Sequence, residues 1–424
     1  MIRHLSYLLA LLYCFVWLRI PDIAGVAFPL QRMVAWTALA VILARAAVKG
    51  ALPLGPQIRS FLRVAVLFLA FLLVNLVQKL AYGETQFHLL YFLMDFSKYV
   101  AIFTVAFVIY YALSSGLAGE ERFVRNVVLS GACSILLVFT FLSLYLLGFR
   151  SDSTLLAPSF GGALGVWPTS GFWPRLAGTA AEPQQLSVLL LTPLLLMLTR
   201  ASIRHYWPLA GLGLLAMLLS QSKFAVISCA FVALYLLLVY KEKRKAIIGV
   251  LVLATPFLAL LLLRLPTFAD TLTQGTEAGA FVERLENLVL MLDVIRNHAF
   301  FGIGPGQYGV FRGIMLFGDP GYAPGYYPNM DFLKIFAEVG LVGFLIVVIM
   351  MGSLIRSAYR AYRQVPHGKQ ERYLAFFLGA LAIFCNMLIG YELLHVFFWV
   401  NVGVLIYLAE ASHQPLQARN PAPA

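Results

Sequence analysis

The sequence predicts an all-α membrane protein of about 12 transmembrane helices, N-in and C-in, with two long outer loops. Three observations predict it. Hydrophobic residues make up 61% of the 424 and charged residues only 12%, against about 45–50% and about 25% in a soluble domain, and the mean hydropathy is +0.85. Apolar runs recur at close to the ~20 residues that span a bilayer as a helix. Between them Lys and Arg gather in short clusters at alternate connections, the pattern of loops kept in the cytoplasm. The composition excludes a soluble enzyme, a disordered chain and a collagen-like fibre.

The spans are expected near 5–19, 28–48, 61–80, 90–112, 123–148, 183–200, 206–221, 223–240, 246–263, 330–355, 371–391 and 394–411. Only helices and closed barrels satisfy the backbone in lipid, and these runs are too long for barrel strands. The first run, Leu5 to Leu18, has no small-residue cleavage site after it and reads as a retained helix. Basic residues mark the even-numbered connections: Arg45 to Arg63, Arg122 and Arg125, Arg200 and Arg204, Lys241 to Lys245, and Arg356 to Arg372. The chain then divides into helices 1–5 over 1–148, a first outer loop over 149–182 and helices 6–9 over 183–263. A second outer loop over 264–329, helices 10–12 over 330–411 and a cytoplasmic tail over 412–424 complete it. The net charge of +12 follows from this distribution and does not call for nucleic acid. Cys14, Cys133, Cys229 and Cys385 all lie in apolar runs without metal-ligand spacing, so neither a disulfide nor a metal is expected.

Long connections carry function more often than short ones. The first contains Arg150, Asp152, Trp167, Trp173, Arg175 and Glu182; the second contains Arg264, Arg284, Arg296 and Arg312 among carboxylates. A guanidinium offers a planar fork of donors suited to phosphate oxygens; headgroup anchoring and salt bridging are the alternative uses. Within the second loop Phe281, Leu285, Leu288, Leu292, Ile295 and Ala299 form one helical stripe, with Glu283, Glu286, Asp293 and Asn297 opposite. Such a helix should lie along the membrane interface, with Arg284 and His298 at headgroup depth. It is followed by Gly302-Ile-Gly304-Pro305-Gly306-Gln307-Tyr308-Gly309. This matches a dinucleotide fingerprint in letters only, since no strand precedes it; it reads as a tight turn, with or without a ligand against its backbone. Arg32, Asp95, Lys98, Lys334, Glu338, Glu392 and His395 are ionisable residues inside spans and stand out for that reason. Asp95 and Lys98, three apart, suit a local ion pair. Lys223, after Ser220-Gln221-Ser222, is placed at the outer boundary.

Three stretches resemble the bacterial O-antigen polymerase and ligase superfamily of membrane glycosyltransferases. They are Arg175-Leu-Ala-Gly178 through Glu182-Pro183; Arg284 followed by His298-Ala-Phe-Phe-Gly302-Ile-Gly304-Pro305-Gly306-Gln-Tyr308; and Asn329-Met-Asp331-Phe-Leu333 through Glu338-Val-Gly340-Leu-Val-Gly343. Ser220-Gln-Ser222-Lys223 is a weaker echo. The resemblance implies glycan transfer from a polyprenyl diphosphate carrier to a sugar hydroxyl at the periplasmic face of the inner membrane. Where ligases carry a histidine, this chain has Asn329, which tilts the reading toward polymerase; a ligase acting on lipid A–core is the alternative, and a polysaccharide or lipid transporter the alternative of another class. Arg175 and Arg284 are expected to hold the diphosphate, with Arg264, Arg312 and Lys223 secondary. Glu182, Asp331 or His298 would take the acceptor proton, and Gly304, Gly306, Tyr308 and Asn329 would lie near the glycan. Trp167, Trp173, Tyr322, Tyr326 and Tyr327 could stack on sugars or belong to an interfacial belt. The outer loops lack an Asp-x-Asp motif, so no metal or other cofactor is expected. Expected partners are the lipid-linked glycan, membrane lipid and, for a polymerase, a chain-length regulator.

Overall fold

A computed structural model describes residues 1–16, 18–23, 26–50, 52, 54–82, 87–148, 166–167, 174–180, 182–253, 279–321, 326–328, 330–388, 390 and 393–413. The helices fall on the predicted spans. Leu30–Lys49, Pro56–Ala81, Leu89–Ser114, Glu120–Leu146 and Asp331–Tyr362 are each long and apolar enough to cross a membrane. Lys223–Val239 and Lys241–Leu253 together pass the same test but meet at 106°. Pro183–Met197, Ile203–Leu219 and Val396–His413 are shorter apolar helices, and His367–Asn386 joins the last two long elements. By length and composition, then, the described helices supply five spans, or six with the bent pair, where the sequence suggested about twelve. Val66, Leu67, Val74, Val77, Leu93 and Leu136 lie exposed on the long helices, an apolar surface far beyond what a water-soluble monomer shows. The molecule is built to sit in lipid.

Two features depart from the expectation. The first run is not one helix over 5–19: the helix is Ile2–Leu11, and an antiparallel hairpin, Arg19–Ile23 with Val26–Pro29, follows. The cause is tertiary. The Cys14 amide donates to Ser130 Oγ at 2.9 Å and the Tyr13 hydroxyl to Asn401 Oδ1 at 3.1 Å, so the chain leaves the helix for partners on its neighbours. At ~1.5 Å per residue the ten residues reach only about 15 Å, half the hydrocarbon thickness. The fold is also not purely α, because Val166–Trp167 pairs with Arg175–Leu176 in a second small hairpin.

Leu89–Ser114 and Val396–His413 form the central helix pair. Their backbones meet at Gly403, where a Cβ would stand 2.6 Å from the Ala106 carbonyl oxygen, the close approach that small residues permit between helices in lipid. Trp399, fully buried, packs beside them against Phe61 and Phe103.

Side-chain bonds sort the helix termini into two opposite ends of the bundle. At one end Lys369 meets Glu120 at 2.5 Å, Arg200 meets Glu371 at 3.1 Å and Glu242 at 3.2 Å, and Glu410 accepts from the Gln57 amide at 3.0 Å. At the other, Gln307 Oε1 accepts from the His88 amide at 2.9 Å, Gln185 meets His395 at 2.8 Å, and Asp331 accepts from the Leu393 amide at 2.8 Å. The first end gathers the basic connections. The second gathers the described parts of both long loops.

Candidate functional site

The site is built from that second end, in two groups of residues and a bridge. The first group rests on the 166–176 hairpin, which sets Arg175 opposite Trp167. Arg175 is half-buried and its Nε donates to the Ser220 carbonyl at 3.4 Å. The chain turns at Gly178, whose φ of +55° and the 2.2 Å that would separate a Cβ from Val138 Cγ2 leave no room for another residue. Thr179 and Ser134 hydroxyls, 2.5 Å apart, pin the turn. Glu182 then caps the Pro183–Met197 helix, where proline at the first helical position suits the start. Its Oε2 accepts from Gln184 Nε2 at 2.5 Å. Lys223 opens the Lys223–Val239 helix and is exposed, while Ser222 caps it by accepting from the Phe224 amide.

The second group surrounds a break in the Asp331–Tyr362 helix. Gly340 has φ +64° and ψ −173°, which interrupts the helical ladder and releases backbone groups on both sides. The Ala299–Gly304 segment takes them up. Leu341 and Val342 amides donate to the Ala299 and Phe300 carbonyls at 2.8 and 3.3 Å; Ile303 and Gly304 amides donate to the Ala337 and Glu338 carbonyls at 3.1 and 2.8 Å. Gly302, at φ +70°, and Gly340 face each other's neighbours so tightly that a Cβ on either would stand 2.3 Å from a carbonyl oxygen. The glycine-rich run is therefore a seam between a loop and a broken helix. Gly304 is buried in it beside Phe87 and Gly306 is half-buried against Tyr91, and the Tyr308 amide donates to Glu338 Oε1 at 3.2 Å.

Beneath the seam lies a buried charge cluster. Lys334 Nζ is 2.6 Å from Glu338 and 3.3 Å from Asp95, and sits 4.1 Å from the centre of the Tyr327 ring. Lys98 meets Asp95 at 2.5 Å, the local pair that the spacing suggested, but the spacing could not reveal that Lys334 and Glu338 complete it from another helix. Two acids and two bases balance, as buried charges must. Asp331 is fully buried and both its oxygens are engaged, accepting from Tyr327 Oη at 2.6 Å and the Leu393 amide at 2.8 Å. It ties the helix start to Leu393, two residues before His395, which meets Gln185; these two residues are the bridge between the groups.

Above the seam, Tyr308–Phe317 and Gly279–Asn297 form a hydrogen-bonded wall. Tyr308 Oη donates to Asn287 Oδ1 at 2.9 Å, Asn287 Nδ2 to Tyr326 Oη at 2.7 Å, and Tyr326 Oη to Glu283 at 2.7 Å. Burial, and then the Glu283 carboxylate, push the Tyr326 hydroxyl up to about 12, so it remains a donor at any physiological pH. Arg312 lies flat on Tyr326, its guanidinium 4.2 Å from the ring centre. Only 9% of its surface is exposed, its Nε is buried without a hydrogen-bond partner, and among the described residues it forms no ion pair. A buried guanidinium without an acid is costly unless an anion arrives to meet it.

The remaining expectations divide clearly. The Gly279–Asn297 helix exists, but the face packed against Asp331–Tyr362 is Asn287, Leu290, Met291 and Val294, while Leu285 and Leu292 of the expected stripe point away, exposed. The helix is apolar on two sides because one faces protein and the other is left for lipid. His298 is half-buried and its carbonyl accepts from the Gly302 amide at 2.9 Å. Tyr326 and Tyr327 are half-buried, each with one ring face taken by Arg312 or Lys334. Arg264, Asn329, Trp173 and Tyr322 lie outside the described residues, as does the side chain of Arg284, whose backbone is in the Gly279–Asn297 helix. Gln185, Asn287 and the Tyr308–Asn287–Tyr326 chain were not foreseen. Gln184-Gln185 directly after Glu182-Pro183 was the one visible signal, polar residues inside an otherwise apolar helix.

A polytopic helical membrane protein with polar groups concentrated at one end of the bundle is the class these features define. Residues 208–348, a third of the chain, match the family described as O-antigen ligase, in line with the resemblance that the sequence motifs carry. No curated protein matches the chain. The matched stretch holds the seam, the charge cluster, Arg312 and Lys223; Arg175 and Glu182 precede it.

Proposed function

We propose that the protein is a polysaccharide polymerase that moves glycan from a polyprenyl diphosphate carrier to a sugar hydroxyl at the periplasmic face of the inner membrane. The acceptor oxygen attacks the anomeric carbon, the bond from that carbon to the diphosphate breaks, and the diphosphate leaves on the lipid. Such a leaving group chiefly needs its developing negative charge stabilised. Arg312, buried on Tyr326 without an acid among the described residues, is the observation that carries the reading; Arg175, Arg284, Arg264 and Lys223 are the further cations of the same role. The acceptor proton goes to Glu182, which among the described residues has one carboxylate oxygen engaged, by Gln184, whereas Asp331 has both oxygens committed to holding the helix start. His298 is the third candidate. Gly304, Gly306, Tyr308 and Asn329 line the approach of the glycan.

The family's own description favours a second reading, ligation to lipid A–core. Deleting the gene and resolving the surface polysaccharide on a gel separates the two. Core bearing a single repeat indicates a polymerase, core bearing none a ligase, and an unchanged ladder removes both.

A further inference from the structure

At the basic end of the bundle, opposite the candidate site, Pro56–Ala81, Asp331–Tyr362, His367–Asn386 and Val396–His413 enclose a cleft of about 760 Å³ counted with its open side. Its inner part is lined by Phe61, Phe384 and Phe398 and its outer part by Gln57, Ser357 and Ala409. Gln57 and Ser357 also line an adjoining cleft whose other walls are Arg360, Arg363 and Gln364. The two clefts share Gln57 and Ser357 as a common wall, so the two arginines stand beside the mouth of the greasy slot. From Ala409 to Phe398 the slot follows eleven residues of helix, roughly 16 Å at ~1.5 Å per residue, close to half of the ~30 Å hydrocarbon core. That is the depth of one leaflet.

Arg360 and Arg363 are among the cations at this end that meet no carboxylate among the described residues, because the acids here are engaged elsewhere. Glu120 and Glu121 are taken by Lys369 and Arg372, Glu371 and Glu242 by Arg200, and Glu410 by Tyr110 and Gln57. Arg363 donates only to the Tyr359 hydroxyl, at 2.8 Å, and neither Arg360 nor Arg363 meets a carboxylate among the described residues. A basic mouth over an apolar slot one leaflet deep fits an amphiphile with a negatively charged head.

We propose that this cleft binds one acidic phospholipid of the adjacent leaflet, its phosphate on Arg360 and Arg363 and one acyl chain between Phe377 and Phe398. The site is independent of the glycosyl-transfer reading. The test uses the full-length protein, delipidated in a nonionic detergent, with phosphatidylglycerol, phosphatidylcholine or inorganic phosphate added and binding read by native mass spectrometry. Phosphatidylglycerol binds; Arg360→Gln or Arg363→Gln weakens it roughly fivefold and the double variant on the order of thirtyfold. Equal binding of the two lipids, retention by the double variant, or an inorganic phosphate adduct lost with the same arginines overturns the proposal. A phosphatidylglycerol with a photoreactive acyl chain supplies a check on the unaltered protein. Label concentrated on the peptides holding Phe384 and Phe398 supports the slot, while label spread evenly over the exposed faces marks ordinary surrounding lipid and overturns it.

Discussion

At the scale of single residues, the charges of this protein do two different jobs. Lys334, Glu338, Asp95 and Asp331 are engaged with one another and with backbone, and their job is to hold helices and loop together. Arg312 lies over the Tyr326 and Phe317 rings and meets no carboxylate among the described residues. Arg312→Lys keeps the charge and loses the planar fork, so we expect loss of long-chain surface polysaccharide with normal protein level; chain-length ladders like the wild type would count against a phosphate-binding role. For an electrostatic donor of this kind the loss in rate should be on the order of 10²–10³. Glu182→Gln should abolish transfer while leaving thermal unfolding unchanged. Asp331→Ala should instead lower stability by about 1–3 kcal/mol, the cost of a stranded buried amide and hydroxyl, and the ratio of melting shift to activity loss distinguishes the two carboxylates.

At the scale of elements, the break at Gly340 and the turn at Gly302 are one device, since each supplies the hydrogen-bond partners the other lacks. Gly340→Ala puts a Cβ 2.3 Å from the Phe300 carbonyl oxygen in a backbone region that L residues rarely adopt. We expect protein that inserts but unfolds at clearly lower temperature, whereas Gly352→Ala, with open space around it, leaves melting unchanged. Lys334→Met strands Glu338, while Asp95 keeps Lys98, and should cost about 3–5 kcal/mol; restoration by Lys334→Met combined with Glu338→Gln, measured as melting temperature, would show that the cost is the unpaired charge. The sequence displayed the pieces of this device, a glycine-rich run and a lysine and glutamate four apart. It could not display their union, because Gly302 and Gly340 meet only after the chain has folded back on itself.

At the scale of the whole molecule, the bundle keeps its basic connections at one end and the described parts of its long connections at the other. If the basic end faces the cytoplasm, as the charge bias predicts, alkaline phosphatase fused after residue 160 or 270 should be active and after residue 243 inactive; the reverse pattern would place the candidate site on the cytoplasmic side and end the periplasmic reading. The helical, membrane-embedded class was legible in composition and in the spacing of apolar runs, because lipid imposes those patterns on any chain that crosses it. The half-length first helix was not. Its residues are as apolar as a span, and only the partners waiting on Ser130 and Asn401 turn the chain aside. The packed face of Gly279–Asn297 was misread for a related reason: periodicity reports an apolar side, and a helix between protein and lipid has two. Sequence alone determined what the solvent demands. Which charges neutralise each other was decided by tertiary structure, since electrostatic pairing depends on distances between residues that the chain order keeps far apart.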